Sequence, residues 1–260
     1  MFCVIHRTMN RYIFLLGFCL SCQQTLAQSL AFSVPNASTT HQGHFELTHE
    51  SQIGLAGFYN SFNILTYGLT KRTELTVNAI NVSDVFPFGV SYGAGFKTVQ
   101  PLRGLRVPNF NFTLGANVKY GPQLGYTRNF GFFGYSHLSS TLPKWGTRFT
   151  AGVGYGTPHA FGFSRYTAAD STIRVEGNYP IMGMAIIEQP ITKRFSLMAD
   201  YFSGQHAQGA IIAGGQYKVG AISALVGYKR SNKGRAYDAI ILELVFDVAA
   251  PWAKPAAEHD

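Results

Sequence analysis

The 260-residue chain is 46% hydrophobic and 14% aromatic but only 13% charged, with 28 glycines and a formal charge of +8. A soluble domain is about 25% charged, and beyond the N-terminus no stretch approaches the ~18 apolar residues a spanning helix needs. Basic residues stand singly, as at Lys97 and Lys119, or at most in doublets, as at Lys229-Arg230, which excludes a phosphate-tracking nucleic-acid surface.

Residues 1–27 have the parts of a secretory signal: a basic start (His6, Arg7, Arg11), the apolar run YIFLLGFCL and the small-residue triplet Thr25-Leu26-Ala27. A lipoprotein reading at Cys22 is open, although Cys19 and Leu20 depart from the residues a lipobox wants. Cys3, Cys19 and Cys22 are the only cysteines, so the remainder has no disulfide framework or thiolate metal site. Residues 28–42 form a short polar lead, expected in the periplasm, in which His41 and, just after it, His44 are expected to be solvated. No metal or cofactor is expected.

Strands follow. Residues 67–82 (YGLTKRTELTVNAINV) read as two strands around a terse basic turn. After it Leu75, Val77 and Ala79 alternate with Glu74, Thr76 and Asn78, the period of two of a half-buried antiparallel strand. In 90–99 the alternation puts Lys97 on the polar side. In 109–120 it is cleanest: Phe110, Phe112, Leu114, Ala116, Val118 and Tyr120 share one face, and Asn111, Thr113, Asn117 and Lys119 share the other. Strands at 126–138 and 148–155 meet around Pro143-Lys144-Trp145-Gly146, and Arg148 lies on a polar face. A polar segment, 158–178, breaks the rhythm.

The hairpin idiom returns at 190–201 (PITKRFSLMADY), where Phe195, Leu197 and Tyr201 alternate with Ser196, Met198 and Asp200. With 181–188, which carries Glu188, and strands at 207–218, 221–229 (Lys229) and 237–247 (Glu243), the total is about 12. The last strand presents Ile240, Leu242, Leu244 and Phe246 outward, and 249–260 form a polar periplasmic tail.

A soluble sandwich would need apolar faces where this chain has Asn, Thr, Ser, Gly and single charges. Faces about ten residues long with aromatics at both ends fit a lipid-facing band roughly 25 Å tall. Connections alternate short and long, which puts the terse turns on the side of both termini. The sequence therefore predicts an all-β fold: a transmembrane antiparallel up-and-down β-barrel over 43–248. The apolar set faces lipid. The polar set from Glu74 to Glu243 lines the lumen as a candidate pore.

The hairpin YGLTKRTELTV resembles those of Gram-negative outer-membrane proteins, most of all the family named for the meta-pathway of phenol degradation and, more distantly, fatty-acid and toluene transporters. The resemblance implies a bacterial outer-membrane location, contact with outer-membrane lipids, and passage of a small, often hydrophobic solute. The last strand's apolar series ending in Phe246 resembles the terminal signal read by barrel-assembly machinery, although a polar tail follows it. Those transporters carry an N-terminal hatch of a few dozen residues, and the lead here is too short to suggest one. A structural or adhesive barrel with a filled lumen is the alternative. Outer-membrane phospholipase A is also similar in its closing hairpin. However, His137-Leu138-Ser139 continues as Ser140-Thr141 rather than Asn-Gly, and no third group to orient the histidine is visible. No enzyme is expected, and His137 reads as a rim residue beside a turn.

Overall fold

The computed structural model describes residues 32–82, 89–104, 107, 109–121, 130–157, 160, 165–166, 173–174, 181–206 and 208–252. The expected signal segment 1–27 and the tail from 253 lie outside them. Twelve strands close into one antiparallel barrel: β1 (His44–Gly54), β2 (Tyr59–Thr70), β3 (Thr73–Val82), β4 (Gly89–Pro101), β5 (Asn111–Tyr120), β6 (Phe130–Thr141), β7 (Arg148–Gly156), β10 (Ile181–Pro190), β11 (Phe195–Phe202), β12 (Ala210–Val219), β13 (Ile222–Ser231) and β14 (Ala239–Ala249). Between β7 and β10, β8 (Arg165–Tyr166) pairs with β9 (Ile173–Arg174) in a separate small hairpin within the polar segment. Each barrel strand pairs with its chain neighbour, and β14 closes on β1 with Glu46 opposite Asp247 and Ser51 opposite Leu242.

Period-two alternation becomes an inside and an outside because closure leaves no edge and pairs every strand on both sides. The outer surface is aliphatic at mid-height, with Leu75, Val77, Leu114, Val118, Leu197, Leu242 and Leu244 all exposed. Aromatic side chains ring both ends: Tyr59, Tyr120, Phe130, Tyr155 and Tyr201 toward one, Phe112, Trp145, Tyr217, Phe246 and Trp252 toward the other. This is the surface of a membrane-spanning barrel.

One patch departs from it. On the outer face of β1 and β2, His49 Nδ1 lies 2.8 Å from Asn63 Oδ1, and Ser51 Oγ lies 3.2 Å from His49 Nε2 and 3.0 Å from the Tyr59 hydroxyl. These polar groups satisfy one another, as groups facing hydrocarbon must.

The connections at 71–72, 142–147, 191–194 and 220–221 gather with both strand termini at one end, called here the short-turn end. The connection 102–110 is also there, and it corrects one boundary: β5 begins at Asn111, so Phe110 precedes the strand and is half-buried on the outside near Leu138 and Phe149. Phe195 is likewise half-buried.

Candidate functional site: a lumen filled by the lead

Residues 32–40 of the lead, expected as a periplasmic extension, lie inside the barrel. The lead enters at the short-turn end, where Gln42 makes a parallel bridge to Gly68 of β2. The absence of a side chain at Gly68 lets the His41 carbonyl lie against the strand, where a Cβ would collide with it. Thr40 N–H donates to Glu74 Oε2 at 2.7 Å, Arg148 Nη1 donates to Ser38 Oγ at 2.9 Å, and Lys97 Nζ donates to Asn36 Oδ1 at 3.3 Å. At the far end of the described lead, the N–H groups of Phe32, Ser33 and Val34 all converge on Asp200 Oδ2, at 2.9, 2.7 and 3.1 Å. Three successive N–H groups aimed at one carboxylate oxygen form a backbone anion nest, here occupied by a side chain of the barrel wall.

Phe32 and Val34 are fully buried. They join Phe133, Tyr135, Met182, Met184, Ile186, Met198, Phe202, Ile212, Leu225 and Ile241 in one apolar cluster inside the barrel. The Phe32 ring sits over Gly227, where a Cβ would stand 2.9 Å from its Cε1. Phe133 stacks on Tyr135 at 5.4 Å between centroids, and Tyr135 on His137 at 5.7 Å. Phe202 meets His206 edge-on at 5.2 Å. His206 lies in the 203–209 connection, and burial holds its imidazole down at about 4, which keeps it neutral.

Polar side chains of the wall surround this filling. Glu74, Thr76, Lys97, Thr113, Asp200, Lys229 and Glu243 are buried, and Asn78, Asn111, Asn117, Lys119, Arg148, Glu188 and Ser196 are half-buried. Two ion pairs form: Lys97 with Glu74 at 3.0 Å, both fully buried, and Arg148 with Glu188 at 3.1 Å. Lys229 Nζ donates to Gln52 Oε1 at 3.1 Å, and Gln52 Nε2 donates to Glu50 at 2.6 Å, with Asp200 close enough to act on Lys229 electrostatically. Glu74, Lys97, Arg148, Glu188 and Asp200 therefore pair with one another or with the lead instead of forming a ring around open water.

His137 is corrected from a rim residue to a buried one, with Ser139 also inside. Among the described residues no carboxylate is hydrogen-bonded to its ring. The residues missed from sequence are those of the lead and the Met182, Met184 and Met198 set. A signal was present, because Phe32 and Val34, two apart and both buried, stand out as apolar in a polar lead.

Below the filling, toward the short-turn end, a vestibule of about 320 Å³ remains. Glu46, Glu188, Glu243 and Asp247 border it against Arg148 and Lys218, so acids outnumber strong bases. At the opposite rim, burial alone would raise the Asp238 carboxyl, but hydrogen bonds from Ser231 N–H, the Tyr228 hydroxyl and Arg230 hold it below the usual carboxylate range.

No family model and no curated protein matches the chain. Among solved structures it is similar to a KdgM porin in complex with disordered oligogalacturonate, at 10% identity and a TM-score of 0.53, over 78% of this chain and 98% of that one. It is also similar to the Acinetobacter baumannii outer membrane protein Omp33, at 14% identity and a TM-score of 0.50, over 80% and 99%. At these identities the likeness is one of fold.

Proposed function

We propose that the protein is a bacterial outer-membrane channel whose lumen is closed by its own N-terminal lead, and that it passes a small, largely apolar solute when the lead withdraws. The observation that carries this reading is the convergence of the Phe32, Ser33 and Val34 N–H groups on Asp200 inside the barrel. A permanent filling needs no charge at this point, since larger apolar side chains on the wall would serve. A single carboxylate holding a chain segment is a releasable contact. The apolar character of the solute is supported by Met182, Met184, Met198, Phe133 and Phe202, which would line the space left by Phe32 and Val34. Methionine suits a surface that must repack around different occupants. The resemblance of the YGLTKRTELTV hairpin to small-molecule transporters points the same way. In this reading the short turns and the vestibule face the periplasm and the 157–180 connection faces the outside.

The test is conductance in planar bilayers for wild type, Asp200→Asn and a variant lacking residues 29–40, with heat-modifiable gel mobility as the folding control. Wild type should be mostly silent, Asp200→Asn should open in bursts, and the deletion should conduct steadily. A folded deletion variant that stays silent would overturn the channel and leave a filled structural barrel.

A further inference from the structure

Where the lead joins the wall, the sequence His41-Gln42-Gly43-His44 forms a tight turn: His44 N–H donates to the His41 carbonyl at 2.9 Å, and Gly43 takes a φ of +78°. The turn sets two imidazoles side by side, 5.4 Å between ring centroids. From β14, across the β1–β14 seam, Asp247 reaches both: Oδ2 lies 3.2 Å from His41 Nδ1 and Oδ1 lies 2.7 Å from His44 Nδ1. One ligand atom from each residue lies within 4.8 Å of the others. Both histidines were expected to be merely solvated.

We propose that His41, His44 and Asp247 bind a divalent transition-metal ion of the zinc class. Ligand atoms bonded at ~2.0–2.1 Å around a tetrahedral ion stand about 3.4 Å apart, so small side-chain rotations bring these three into place. Two imidazoles and one carboxylate favour zinc, copper or nickel over magnesium or calcium, which take oxygen shells. Three protein ligands leave the fourth position to water.

The surroundings favour a cation. Glu46, directly opposite Asp247 in the β1–β14 register, adds a second carboxylate beside the site, and its negative charge attracts a cation. The site is also reachable: the His41 side chain is 74% exposed, and His41, Glu46 and Asp247 border the vestibule. The backbone is fixed on several sides. Gly43 N–H donates to the Gly68 carbonyl, Ala250 N–H to the Gly43 carbonyl and Asp247 N–H to the Ala221 carbonyl, each at 2.8 Å. An ion here would join the base of the lead to the last strand. Binding itself does not depend on the channel reading.

The experiment is calorimetric titration of folded, tag-free mature protein with zinc chloride, and of the same protein with cobalt(II), whose visible absorption reports coordination. Wild type should bind one zinc per chain with micromolar affinity and give the intense cobalt bands of a four-coordinate site. Loss of an outer-shell partner alone typically weakens metal sites by 10–100-fold, so His44→Ala and Asp247→Asn should each weaken binding by about 100-fold or more. His49→Ala, on the outer face, should leave it unchanged. Absence of saturable zinc binding by folded wild type would overturn the proposal. Wild-type affinity retained in both Asp247→Asn and His44→Ala would overturn it as well, by placing any bound zinc elsewhere.

Discussion

The Glu74–Lys97 pair offers the sharpest test of how the interior is held. Both side chains are fully buried, with 3.0 Å between Lys97 Nζ and Glu74 Oε1. At an effective dielectric constant of about 20, opposite charges at that distance attract by roughly 5–6 kcal/mol, much of it offset by desolvation. Replacing Lys97 by Met keeps the length of the side chain but leaves the carboxylate buried without its cation, which typically costs 3–5 kcal/mol, about that much here. Glu74 still accepts from Thr40 N–H, so the loss should also loosen the base of the lead. The double variant Glu74→Leu/Lys97→Met removes both charges and should recover most of the lost stability. The assay is a guanidinium titration of folding into lipid vesicles, followed by tryptophan fluorescence. A single variant costing under about 1 kcal/mol, or a double variant no better than the single, would refute a dry, tightly coupled interior.

On β5, Leu114→Arg puts a charge in the lipid-facing band and should cost about 2–4 kcal/mol in the same titration, whereas Asn117→Arg, on the inner face, should cost much less; equal costs would mean that the faces are misassigned. An epitope tag within 158–178 should label on intact cells and a tag at Thr192-Lys193-Arg194 should not, and the opposite pattern would invert the barrel. With the lead deleted, Glu46→Gln together with Glu243→Gln should shift the reversal potential under a salt gradient away from cations, because both acids border the vestibule. An unchanged potential would show that the vestibule does not set selectivity.

The barrel was legible because alternation is a local signal. Each residue of 111–120 declares its face by parity, and the alternation of connection lengths orders the strands. What the lumen contains was not legible. Met182, Met184 and Ile186 have outward neighbours of similar character, Ile181, Ala185 and Ile187, so parity along β10 does not distinguish lipid from core. The lead is too short to show a pattern of its own beyond Phe32 and Val34, and its partners are remote in sequence: Phe32 meets Asp200 across 168 residues. Asp247 is likewise 206 and 203 residues from His41 and His44 and meets them only through closure of β14 on β1.

A twelve-stranded barrel is wider than the eight-stranded case in which wall side chains alone fill the interior, so something must occupy the centre or water must. Here the occupant is held in near balance. Fixing the 11 residues 32–42 costs roughly 11–22 kcal/mol of backbone entropy at ~1–2 per residue. Burying Phe32 and Val34 returns about 3–6 kcal/mol. The six hydrogen bonds to charged wall residues Asp200, Glu74, Lys97 and Arg148 return at most about 9–18 kcal/mol at ~1.5–3 each. The two sides agree to within a few kcal/mol, which is the condition for a gate, because a small change then moves the population. Phe32→Ala should remove about 3–5 kcal/mol from the closed side. At 1.4 kcal/mol per decade, the ratio of open to closed time in single-channel records should rise by about two to three and a half decades. Gly227→Leu, which fills the site of the Phe32 ring from the wall, should act in the same direction while leaving every charge in place. If both variants fold and neither changes the open time, the lead is a fixed filling and not a gate.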